Sequence, residues 1–251
     1  MFIIFVMTLY LIGLGLWDEK DISVKGLETA RLCDVLYMEE YTSRLGVEKT
    51  KIETLIGKKI EFLSREQVEQ SDTIIKDAKE KDIGFLVGGD PLTATTHTDF
   101  LLQAKKKGID TKVIHSSSIF TAIAESGLFM YKFGKSCSVP FPAEDFKPTS
   151  FYDVIIENKK RGAHTTVFLD LKPEKNRFMT INEALKILLN IGKEITEDTI
   201  AIGLARIGSD NQIIKAGTIK ELIDFDFGAP QHILIIPSEL HFVEKEALEV
   251  C

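Results

Sequence analysis

Apolar residues in the first half of the chain gather into short runs, separated by longer stretches where they recur every three to four positions. The runs at 9–13, 35–39, 59–63, 83–87 and 112–115 read as strands. The stretches 23–33, 65–80 and 96–107 have the spacing of helices with one apolar face. Ser23 stands at an N-cap position, and Gly108 follows the helix ending at Lys107 as a C-terminal stop. Such alternation predicts an α/β layer on a mainly parallel sheet. Around 116–134 the chain passes through a helix and a glycine-bounded loop, and the alternation then loosens. Strands are predicted at 165–170, 199–206, 212–217 and 232–236, with helices at 150–161, 181–194 and 219–225. Gly208-Ser-Asp-Asn211 reads as a hairpin turn. The expected architecture is two α/β domains, 1–115 and 116–251, with a cleft between them.

Composition narrows the function classes. A hydrophobic share of 44% with 27% charged residues fits a globular protein with ample core. The net charge of −7 argues against nucleic acid as the main partner, because binding phosphates needs a basic face. Lys105-Lys106-Lys107 and Lys159-Lys160-Arg161 sit at predicted helix ends, where cations complement the helix dipole. Cys33, Cys137 and Cys251 are far apart, with neither metal nor disulfide spacing, so no metal is expected and a cytoplasmic location is. Phe2 to Trp17 is apolar but lacks a basic leader region and a cleavage site, and is short for a membrane span. Within it Thr8 to Gly13 reads as a buried first strand, with Met7 an alternative start to Met1.

The chemistry concentrates at strand ends. Phe85-Leu-Val-Gly-Gly-Asp-Pro-Leu-Thr-Ala-Thr-Thr-His97 stops an apolar strand at two glycines, where a ligand can approach bare backbone. Asp90 then either faces the crevice beyond the strand or closes an Asx-type turn. Thr93, Thr95 and Thr96 are candidate caps for the next helix, and His97 an ordinary first-turn residue. Val113-Ile-His-Ser-Ser-Ser-Ile-Phe120 repeats the plan, with Ser118 either an N-cap or part of a polar-ligand site. Gly13-Leu-Gly15 follows the first strand, but Asp18 stands where a dinucleotide fingerprint needs glycine, so Glu39 and Glu40 do not complete a nicotinamide site. His232 opens an apolar strand and reads as structural or functional. With no nucleophile triad, P-loop or metal cluster in the sequence, an enzyme built this way would position a cofactor that carries the reactive group.

Several segments together resemble the diphthine synthase family, within the wider tetrapyrrole-methylase-like class. They are Leu9-Tyr-Leu-Ile-Gly-Leu-Gly-Leu16, Gly89-Asp-Pro-Leu-Thr-Ala-Thr-Thr-His97, Tyr131-Lys-Phe-Gly-Lys135, Pro148-Thr-Ser-Phe-Tyr-Asp-Val-Ile155, Phe168-Leu-Asp-Leu-Lys172, Ala205-Arg-Ile-Gly-Ser209 and Phe227-Gly-Ala-Pro-Gln-His-Ile-Leu234. The chain length is similar to that of the archaeal form. The resemblance implies S-adenosylmethionine bound between two α/β domains, a homodimer, and no membrane partner. It implies methylation, to the trimethylated product, of the amino group of a 3-amino-3-carboxypropyl histidine on translation elongation factor 2. Matched residue by residue, the implied cofactor contacts are Leu16, Asp90, Thr93, Ser118, Ile119, Leu169, Ile207 and His232; no catalytic residue is implied. Ser116-Ser117 departs from the family's Ala-Pro. A tetrapyrrole or other small-molecule methyltransferase on the same fold is the alternative, and a non-catalytic adaptor docking on the elongation factor the reading from another class.

Overall fold

The computed structural model describes residues 7–39, 45–70, 73–142 and 148–250, so the segment before Met7, Glu40 and Cys251 lie outside the described residues. The chain divides into two compact units, Met1–Phe120 and Thr121–Cys251. Residues 116–120 belong with the first unit, not with the second domain to which the sequence pattern assigned them. Ser116 explains this locally: its N–H donates to Asp90 (3.3 Å) and its hydroxyl to the Asp21 carbonyl (3.3 Å).

The first unit is built on strands β1 (Thr8–Gly13), β2 (Val35–Glu39), β3 (Glu61–Leu63), β4 (Ile83–Val87) and β5 (Asp110–Ile114). They lie in the order β3-β2-β4-β1-β5, all parallel. Helices α1 (Val24–Leu32), α2 (Lys49–Ile56), α3 (Arg65–Gln70), α4 (Thr73–Asp77) and α5 (Thr98–Lys106) connect them. Alternate strand residues enter different cores: Leu9, Leu11, Phe85 and Val87 pack on one face, Ile12, Leu36, Met38 and Leu86 on the other. Ser23 caps α1 by accepting from the Gly26 N–H (3.0 Å), and Gly108 follows α5 with φ 71°. Within the stretch predicted as one helix at 65–80, the described residues form α3 and α4, and residues 71 and 72 lie outside the described residues. Helix α2 escaped prediction because its inner face pairs Ile52 and Ile56 with a buried Glu53. That carboxylate accepts from the Ile60 N–H (3.0 Å) and from Lys59 (2.9 Å), so the charge is satisfied inside.

Helix α6 (Ile119–Ala122) crosses into the second unit, which contains β6 (Cys137–Val139), α7 (Ser150–Lys160), β7 (Thr165–Leu169), the hairpin β8 (Leu171–Lys172) and β9 (Arg177–Phe178), α8 (Ile181–Ile191), β10 (Ile200–Ala205), β11 (Ile213–Thr218), α9 (Ile219–Leu222), β12 (His232–Ile236) and α10 (Phe242–Glu249). The sheet order is β11-β10-β12-β7-β6, antiparallel except for β6 beside β7. The predicted turn at 208–211 does join an antiparallel pair, β10 and β11. Thr180 and Glu183 cap α8 reciprocally, and Leu185 and Leu188 on its inner face meet Val167, Ala201 and Leu234 of the sheet in one core.

A buried polar knot holds the end of this unit. Glu244 is wholly buried and accepts from Lys132 Nζ (2.5 Å), His164 Nε2 (3.0 Å) and the N–H groups of Phe129 (2.8 Å) and His241 (2.8 Å). The Ser238 N–H donates to His164 Nδ1 (3.0 Å), which leaves the proton on Nε2. Burial raises the Glu244 pKa, but the hydrogen bonds from Lys132, Phe129, His241 and His164 outweigh it and hold it at about 2. The Lys-Phe-Gly-Lys segment at 132–135 thus ties α10 to the sheet.

Candidate functional site

Because every strand of the first sheet is parallel, all of their C-terminal ends share one edge. The chain leaves β1 toward β2 on one side and leaves β4 toward β5 on the other, so this edge contains a topological switch point, where α/β sheets bind ligands. Three turns converge there, following β1, β4 and β5. The first two are stitched together: the Gly89 N–H donates to the Gly15 carbonyl (2.7 Å) and the Gly15 N–H returns the bond (3.3 Å). Such an approach requires glycine at 13, where a Cβ would stand 2.6 Å from the Gly89 oxygen and 2.8 Å from Ser116 Cβ. Above Gly89 the space is open: with φ 77°, a Cβ there would meet only Ser118 Cβ at 4.0 Å. A ligand can therefore lie against this backbone.

Asp90 joins the second and third turns. Its Oδ1 accepts from the Leu92 N–H (3.0 Å) and the Thr93 hydroxyl (3.2 Å); its Oδ2 accepts from His115 Nδ1 (2.7 Å) and the Ser116 N–H (3.3 Å). The residue is buried, and burial alone would raise its pKa. Hydrogen bonds from Leu92, His115 and Ser116 reverse that and leave it below the ordinary range. The Asx-turn reading is therefore correct for Oδ1, while Oδ2 adds a tie to β5 that spacing did not reveal. Ser118 is buried and accepts from the Phe120 N–H (3.1 Å), which makes it a cap for α6. Leu16, Thr93 and Ile119 are half-buried along the same edge.

Two expectations about this region need correction. The threonines do not cap α5; its N-cap position is His97, with no side-chain capping bond. Nor is His97 an ordinary first-turn residue. Its ring is buried between Phe85 (5.1 Å) and Phe100 (5.9 Å), and Nδ1 donates to the Pro91 carbonyl (3.2 Å). Asp18 caps the short helical turn Glu19–Asp21 in a reciprocal pair with Asp21.

In the second unit, register gathers the remaining three residues at one sheet edge. Leu169 ends β7, Ile207 follows β10, and His232 opens β12 opposite Ala205. Leu169 and Ile207 are buried. His232 Nδ1 accepts from the Ile181 N–H (3.3 Å), so Nε2 carries the proton and donates to the Ala229 carbonyl (3.1 Å). Burial, with the Arg206 charge as a further contribution, lowers its pKa, so the ring is neutral. Sequence reading missed the roles of His115 and Arg206; both stood inside quoted motifs, but their partners are distant in sequence. Cys33 and Cys137 are pushed up to about 12 by burial, which removes them as thiolate nucleophiles.

Comparison with known proteins decides the lineage. The family model of tetrapyrrole (corrin/porphyrin) methylases matches residues 8–223. Diphthine synthase of Methanocella arvoryzae is 48% identical over 246 residues, covering 95% of each chain. This chain belongs to the diphthine synthase family. Diphthine synthase of Methanocaldococcus jannaschii is likewise 48% identical, over 96% of this chain and 97% of its own. A crystal structure of diphthine synthase superimposes with a TM-score of 0.91 at 40% identity, covering 97% of this chain and 95% of that one.

Proposed function

We propose that this chain is a diphthine synthase: an S-adenosylmethionine-dependent methyltransferase acting on the amino group of the 3-amino-3-carboxypropyl histidine of translation elongation factor 2. The observation that carries the reading is family likeness along almost the whole chain, at 48% identity over 95% of its length. The open backbone above Gly89 fits a cofactor held largely by main-chain groups. On this reading Leu16, Asp90, Thr93, Ser118 and Ile119 of the first unit, and Leu169, Ile207 and His232 of the second, contact the cofactor. When bound, S-adenosylmethionine supplies an activated sulfonium methyl for in-line attack by a neutral amine. The chain's own share is alignment and exclusion of water, which can account for much of a barrier without an acid–base pair. Asp90 is no base for the amine, since four donors already occupy a carboxylate held below its usual range.

The same reading extends to a homodimer, to three successive methyl transfers and to action in the cytoplasm; among the described residues no helix is long and apolar enough to cross a membrane. The test is to incubate the protein with labelled S-adenosylmethionine and elongation factor 2 carrying the unmethylated precursor. The modified peptide should gain the mass of the transferred methyls, which also counts them. No transfer to that peptide while the cofactor still binds would overturn the assignment.

A further inference from the structure

Arg206 is a buried cation that makes no ion pair among the described residues. It is 6% exposed and its backbone adopts φ 53°, a left-handed conformation unfavourable for a residue with a Cβ. Its guanidinium spends its donors on main-chain carbonyls. Nε and Nη2 reach the Asn211 oxygen (3.2 and 3.0 Å), while Nη1 reaches Phe227 O (2.7 Å) and Ala229 O. The main chain at 206 is fixed as well: its N–H donates to Gln231 O (2.8 Å), and its carbonyl accepts from the Ser209 N–H (3.0 Å) and hydroxyl (2.7 Å). One side chain thus joins the turn after β10, which carries Ile207, to the turn before β12, which leads into His232. The Ala229 carbonyl held by Nη1 is the same group that accepts from His232 Nε2.

We propose that Arg206 is the positioning residue of the second unit's cofactor edge, a planar fork that sets the 206–212 and 226–231 turns in one arrangement and so places Ile207 and His232. The inference rests on the assignment of those two residues as cofactor contacts. Lysine cannot substitute: its single ammonium lacks the spread of donors needed to reach three carbonyls on two turns. The strained backbone at 206 is consistent with a conformation imposed by these bonds.

The test uses the full chain with Arg206→Lys, which keeps the charge and removes the fork. Amide exchange should quicken by about tenfold or more at 207–212 and 227–231 while the β10 and β12 interiors stay protected. Calorimetric affinity for S-adenosylhomocysteine should fall by about tenfold, with KM for S-adenosylmethionine rising more than kcat falls. Unchanged exchange, or loosened turns with wild-type affinity, overturns the proposal. Ile207→Trp separates the two readings: wild-type affinity in that variant removes the cofactor assignment, whereas the exchange data still judge the fork. Should Arg206→Lys not fold, the wild-type protein decides by nitrogen NMR. A neutral His232 protonated on Nε2 supports the arrangement, and an imidazolium or an Nδ1 proton at neutral pH overturns it.

Discussion

At Asp90, a nearly buried carboxylate remains charged because two backbone N–H groups, a hydroxyl and an imidazole surround it. Asp90→Asn replaces one acceptor oxygen with an amide NH2, which can satisfy only part of this set. The loss should destabilise the fold by about 1–3 kcal/mol, as expected for a buried donor left unpaired. It should also weaken S-adenosylhomocysteine binding, through misplaced turns. Urea melts and calorimetry measure the two effects, and unchanged affinity would reject the placement of Asp90 at the cofactor edge. The sign of its pH dependence is set by the lowered pKa. Its contribution is present above the unfolded value of about 3.9 and is lost as pH falls through the folded one. Reading residues from sequence found this aspartate but not its His115 partner, since the pair spans two strands.

Elements show where burial contradicts pattern. Helix α10 exposes Phe242 at 65% and buries Glu244 completely, the reverse of an amphipathic helix, so hydrophobic spacing gave no sign of it. Its anchor is the polar knot. Glu244→Gln removes the charge that pairs with Lys132 and accepts from His164, and should cost about 3–5 kcal/mol, seen as a lowered urea midpoint. An unchanged midpoint would show that the knot is dispensable. The bridge between the β1 and β4 turns makes the opposite demand, for absence of side chain. Gly13→Ala should cost about 1–3 kcal/mol by overpacking against the Gly89 carbonyl and Ser116. Because the same contact shapes the edge, cofactor affinity should fall with it; a variant as stable and as tight-binding as wild type would show that the turns yield easily.

Over the whole molecule, buried histidines and paired carboxylates set how stability responds to acid. His97, His164 and His232 all have lowered pKa values, with burial the leading cause. Below the unfolded value of about 6.5 the unfolded chain therefore binds more protons, and stability falls as pH drops. A second decline should start near the unfolded values of about 4.3 for Glu244 and about 3.9 for Asp90, and continue toward their lower folded values. Urea midpoints should thus hold steady from about pH 7 to 8 and decrease below about pH 6.5. Equal midpoints at pH 5.5 and 7.5 would contradict the neutral, buried state of the three rings.

By itself, the sequence determined the α/β layering of the first unit, the strand ends where glycine exposes backbone, and the family. These depend on hydrophobic period and on residues close together in the chain, and such information is local. It left Asp90 divided between turn and ligand, and gave Arg206, His115 and Glu244 no role. Only the tertiary structure supplied their hydrogen-bond partners, which sheet register and helix packing bring close. A carboxylate or guanidinium has its meaning in what solvates it once water is gone, and no spacing along the chain records that.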